Sequence, residues 1–178
     1  MIEPGSWLFF AVAALAGLIV KFVDQIEDAK LFDRRKRHIL KYPLAIVYGA
    51  LIGFAISFST FASLWLAALF AQFVTGKIDR PAHLAGFLAA LLFAFFSGIG
   101  EFHMLDFFVL IAFAAADEIS MFQVFGSEMR IWLKFAALLF GIFGRWDYFI
   151  AIMAFDAAYY AAGKAIPAGW YRKTERGY

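Results

Sequence analysis

The chain has 178 residues, of which 64% are hydrophobic and only 17% charged. A soluble domain of that length cannot hide so much apolar surface. The absence of cysteine excludes disulfides, thiolate metal sites and thiol nucleophiles. The net charge of +2 is small, so the placement of the charges carries more information than their sum.

Seven apolar segments recur along the chain, at residues 7–23, 42–56, 61–75, 83–99, 104–116, 131–144 and 148–162. Ala, Leu and Phe run without strict alternation, which predicts helices and not strands. The chain therefore reads as an all-α integral membrane protein with seven transmembrane helices in a single membrane domain. Each segment is short for a hydrocarbon core of about 30 Å, so the helices are expected to extend into flanking polar residues.

The first segment follows Met1–Ser6, which has no basic run, and reads as a retained helix and not as a cleaved signal. It closes on Asp24, Glu27 and Asp28, with Asp24 and Asp28 on one face if the helix continues. The stretch Arg34-Arg35-Lys36-Arg37-His38 comes next, a loop suited to anionic lipid heads, and then Lys41. Gly49 and Gly53 form a GxxxG element, suited to close helix packing or to a homo-oligomer. Ser57-Phe58-Ser59-Thr60 offers hydroxyls to cap a new helix, so a tight hairpin is expected, with a re-entrant pair as the alternative. Asp79 is expected to cap the fourth helix, with Pro81 in its first turn.

In the second half, Asp117 and Glu118 close the fifth segment. The stretch 120–129 reads as a short amphipathic piece. Lys134 opens the sixth helix, and Arg145-Trp146-Asp147 makes a turn suited to a clamp or gate. Asp156 falls midway along the last segment, where a charge costs about 2.5–3.5 kcal/mol to insert. It reads as an ion or proton site, with Tyr159 one turn on as hydrogen-bond donor.

Basic residues give the topology. With the N-terminus outside, the C-terminus in the cytoplasm and seven crossings, fifteen of the sixteen Lys and Arg residues fall inside and only Arg145 outside. A six-span arrangement puts either the tail or the first loop on the wrong side.

A duplication is also visible. Asp24 and Asp117 lie 93 residues apart, as do Lys41 and Lys134, and Gly76-Lys77 is echoed by Gly163-Lys164. The reading is a 3+1+3 parallel repeat: residues 7–77, a linker helix at 83–99, residues 104–164, and a tail at 165–178. In helix count this layout resembles the SWEET-type sugar transporters, a likeness of layout without a shared motif.

Three functions follow. A small transporter or channel for a cation-coupled, proton-coupled or small polar solute would use Asp156. A Mg²⁺-dependent enzyme acting on a phosphorylated lipid would hold its metal on Asp24, Asp28 and Asp117, beside Glu118, with Lys41 and Lys134 on phosphate. A scaffold or assembly subunit would use the charges structurally. Nucleic-acid binding is not expected, because no soluble surface surrounds the basic stretch.

Overall fold

A computed structural model describes residues 6–28, 32, 34–119 and 130–165. The expected amphipathic piece at 120–129, the tail beyond 165 and the side chains of Asp28 and Arg34 lie outside the described residues.

The described residues form seven helices and no strand: α1 (Ser6–Asp28), α2 (Arg34–Phe58), α3 (Ala62–Val74), α4 (Pro81–Ser97), α5 (Met104–Glu118), α6 (Ile131–Ile142) and α7 (Trp146–Ala165). The α1 and α5 helices run past their apolar segments into Asp24–Asp28 and Asp117-Glu118. The basic stretch 34–38 is not a loop but the first turns of α2, which continues through Pro43. An interior proline gives up one backbone hydrogen bond, and the remaining turns carry the helix across it.

Two helices, Trp7–Glu27 and Arg35–Phe58, are long and apolar enough to cross a membrane by length and composition. The shorter apolar helices are Ala62–Val74, Pro81–Ser97 and Ile131–Ile142. At about 1.5 Å per residue, α3 and α6 reach only about 18–20 Å.

Chain breaks follow local chemistry. Between α2 and α3, Ser59 donates its hydroxyl to the Ala55 carbonyl and accepts the Phe61 N–H at 3.2 Å. The hydroxyl thus closes the turn, and Phe61, which makes no side-chain cap bond, stands at the N-cap of α3. Gly76 and Gly144, at φ +70° and +94°, end α3 and α6 in the left-handed region that other residues avoid. Pro81 opens α4 after an extended Arg80, where its missing N–H has no partner to lose. Asp79 does not cap α4. It pairs with Arg80 on the surface at 3.8 Å.

Six helices close a ring. Going round it, α1 packs on α2, α2 on α3, α3 on α5, α5 on α6, α6 on α7 and α7 on α1, with α4 lying outside against α2. Small residues set the close contacts. A Cβ on Gly17 would strike the Phe155 carbonyl oxygen of α7, and one on Gly49 would strike the Gly86 carbonyl oxygen of α4. The GxxxG face of α2 is thus covered by α4 within the chain. The ring interior holds Phe10, Phe61, Leu64, Trp65, Leu110, Leu133 and Ile152, all buried.

The two ends of the bundle differ. One collects the ends of α1, α3, α5 and α7 and the starts of α2, α4 and α6, and carries nearly all the basic side chains among the described residues. The other, where α3, α5 and α7 begin, holds Arg145.

Candidate functional site

At the basic end, four side chains from α1, α2, α4 and α7 form one hydrogen-bonded chain. Tyr159 donates its hydroxyl to Asp24 Oδ2 at 2.6 Å. The other carboxylate oxygen lies 3.0 Å from His83 Nε2. His83 Nδ1 lies 3.1 Å from the Tyr48 hydroxyl. A neutral imidazole can donate from Nε2 to Asp24 and accept from Tyr48, and a protonated one donates from both nitrogens. The chain is therefore complete in either charge state of His83, which suits a group that takes up and releases a proton. Lys21 sits beside it, 4.5 Å over the Tyr159 ring, with Nζ 3.4 Å from the hydroxyl.

Asp156 takes part in a second cluster. Arg130 Nη1 donates to its Oδ1 at 2.6 Å and Lys134 Nζ lies 2.8 Å from its Oδ2. Asp156 lies level with the first residues of α6 because α6 is only 12 residues long and runs antiparallel to the 20-residue α7. Along α7 it stays mid-helix, one residue after Phe155, whose backbone meets Gly17 at the middle of α1. Arg145, at the opposite end, does not approach it. The Arg130 guanidinium lies 4.8 Å over the Phe155 ring and 5.7 Å over the Tyr159 ring. Burial disfavours its charge, but Asp156, Tyr159 and Glu118 together outweigh that and hold its pKa above the usual value. Arg130 connects the two clusters through Tyr159.

The paired acids and lysines of the two halves have unlike surroundings. Asp117 is buried and receives the Trp132 and Leu133 N–H groups at 2.9 and 2.8 Å, closing the first turn of α6 from another helix. Glu118 beside it is half-buried. Lys41, itself buried, pairs with Glu27 at 2.8 Å, whereas Lys134 pairs with Asp156. Asp24 and Asp117 thus hold separate partners. Among the described residues no group of three or more His, Asp or Glu side chains is placed to hold a metal ion.

At the opposite end Arg145 ties three helix starts together. It donates to Asp106 Oδ2 at 3.3 Å and to the Thr60 carbonyl at 2.7 Å, and its Nε lies 3.5 Å from Asp147 Oδ1. Tyr148 donates to Asp106 at 2.6 Å and Thr60 to Asp147 at 3.0 Å. The 98–103 connection closes over this end, with Gly100 N–H on the Ile56 carbonyl and His103 exchanging bonds with Ser63.

A cavity of about 60 Å³, partly open to solvent, lies within the bundle. Apolar side chains including Ile52, Leu69, Phe87 and Ile152 line it, together with Tyr48, His83, Gln72 and Arg130. Of these polar groups none stood out by charge pattern. His83 was visible as an imidazole in the first turn of an otherwise apolar helix. Arg130 was visible only as the charge before Ile131, and its pairing with Asp156 depends on helix lengths. Comparison with protein-family models, with curated proteins and with solved structures finds no significant match.

Proposed function

We propose that the chain is a small membrane-embedded transporter that couples movement of a solute to protons, with the cavity as solute site and His83–Asp24 as proton site. The carrying observation is the Tyr48–His83–Asp24–Tyr159 chain, with two of its members on the cavity wall. Asp156 keeps a different role from the one its mid-segment position suggested. With a cation on each oxygen it locks the start of α6 to α7.

The membrane reading is supported by an inverted distribution of polarity. Charged pairs sit among the helices, while Phe95, Phe96, Ile142 and Phe143 point outward at 71–83% exposure. A soluble monomer rarely exposes contiguous apolar surface on this scale. Only 28% of the apolar window of α1 is buried, unlike the core helix of a soluble protein. In this reading seven helices cross a cell membrane, the shorter ones completed by their connections, with the basic end in the cytoplasm. Exposed Arg35, Lys36 and His38 on the first turns of α2 suit anionic lipid heads there.

A tandem repeat is supported by matched pairings. The α1·α7 contact has its counterpart in α5·α3, α1·α2 in α5·α6, and α2·α3 in α6·α7, with α4 as the odd helix. The Arg145 cluster acts as the outer gate and the Arg130–Asp156–Lys134 cluster as the inner one, and alternating access opens them in turn.

The chain has no cysteine, so a single Ile52→Cys substitution gives a unique probe of the cavity wall. A membrane-impermeant thiol reagent is expected to label it from either face of proteoliposomes. Labelling from the basic face alone would contradict transport and favour a one-sided binding or enzymatic site.

A further inference from the structure

The cavity is sorted by polarity. Its wall is apolar through Val20, Ile52, Leu69, Phe87 and Ile152, and among the described residues its only permanent charge is Arg130. A guanidinium carries five N–H donors in a fixed fork. Asp156 receives one of them, from Nη1, while Phe155 and Tyr159 flank the guanidinium with their rings. The Arg130 side chain is 19% exposed, so a hydrogen bond to it forms away from bulk water and is strong.

Two acids beside the cavity have partners, and Glu118 adds its charge near Arg130. Asp24 accepts from Tyr159 and lies against His83, and Asp156 lies against Arg130 and Lys134. A cationic head entering the cavity meets Arg130, with Lys21 and Lys134 close behind, and finds Asp24 and Asp156 engaged. Trp65 adds a second donor-only group to the wall. It is 3% exposed, and its indole N–H has no hydrogen-bond partner among the described residues. Arg130 and Trp65 therefore ask for an acceptor, Gln72 can serve as donor or acceptor, and the apolar rest of the wall asks for an apolar body.

We propose that the solute is an amphipathic anion, its carboxylate or phosphate head on Arg130 and its apolar body against Ile52, Leu69 and Phe87. This names the solute class of the cavity assigned above to transport and rests on that reading. Arg130 is then the residue that selects for charge, and His83, on the same wall, is placed to trade a proton as the anion enters or leaves.

The test is calorimetric titration of the intact protein in nanodiscs of neutral lipid with four probes: hexanoate, hexyl phosphate, hexylamine and hexanol. At least one anion is expected to bind about 10- to 100-fold more tightly than hexanol and hexylamine, the worth of hydrogen bonds to a charged group. The two anions, compared with each other, tell carboxylate from phosphate. Arg130→Lys keeps the charge but loses the fork, and is expected to weaken anion binding by about 10-fold while leaving hexanol unchanged. Ala68→Trp fills the apolar part of the cavity without touching a charge, and is expected to remove binding of every probe, which places the site even if the Arg130 variant does not fold. Equal affinities for all four probes, tighter binding of hexylamine, or anion binding untouched by Ala68→Trp would each overturn the proposal. Equal affinities together with two-sided labelling at position 52 would remove this inference and leave transport standing. Anion-selective binding with labelling from one face would remove transport instead.

Discussion

Three acids in this chain look alike in sequence and do different work. Asp117 neutralises the start of α6 through two backbone N–H groups. Its replacement by Ala is expected to destabilise the protein by about 1–2 kcal/mol, as loss of a helix cap does, and Asn to recover part of that. Chemical denaturation in detergent checks the order; Asp117→Ala as stable as the parent would contradict the cap. Asp156 answers two cations, so Asp156→Asn takes a counter-charge from both Arg130 and Lys134. A cost approaching the roughly 3–5 kcal/mol of a broken buried pair is expected, reduced by the partial exposure of the two cations. Asp24 touches His83 and Tyr159, and Asp24→Asn is expected to alter the pH response more than the stability. The residue-level pattern gave these carboxylates equal standing because charge and position at a helix end were all it contained. What separates them is which helix stands opposite, and that is set by packing.

At the scale of elements, most helix positions were legible because apolar runs are long and the breaks carry Gly, Pro or Ser. The ends were less so. Asp24 and Glu118 look like loop residues by polarity, yet α1 and α5 continue through them, because partners across the bundle satisfy their side chains or their neighbours. The basic stretch 34–38 likewise belongs to α2. Partners were the larger loss. Asp156 lies mid-segment as read, and only the shortness of α6 shows that this position is level with Arg130. Contact between α2 and α4 depends on Gly49 and Gly53, where an added Cβ meets the Gly86 carbonyl oxygen and the Phe93 Cβ. Gly49→Val is therefore expected to push the helices apart at about 1–3 kcal/mol. Because His83 rides on α4 and Tyr48 on α2, the same change is expected to break the proton chain. A melting temperature equal to that of the parent would contradict the close approach.

For the whole molecule, apolar composition pointed to a membrane and charge placement to an orientation, while the site itself needed the ring. Its members come from residues 24, 48, 83, 130 and 159, far apart in the chain and unlike in type. No spacing rule links them, and the apparent repeat drew attention to Asp24 with Asp117 and Lys41 with Lys134, which hold different partners. Helix packing, with α4 on α2, instead brings His83 to Asp24. Proton coupling through that pair is the central claim. The most direct measurement is relaxation of an imposed pH gradient across proteoliposomes, followed with an entrapped pH dye while small carboxylates, phosphates, amines and sugars are added one at a time. At least one solute is expected to speed relaxation in the parent protein, with a pH dependence between about 5 and 8 that His83→Gln removes. Relaxation no faster than in protein-free vesicles for every solute, or equal rates in the parent and in His83→Gln, would contradict it.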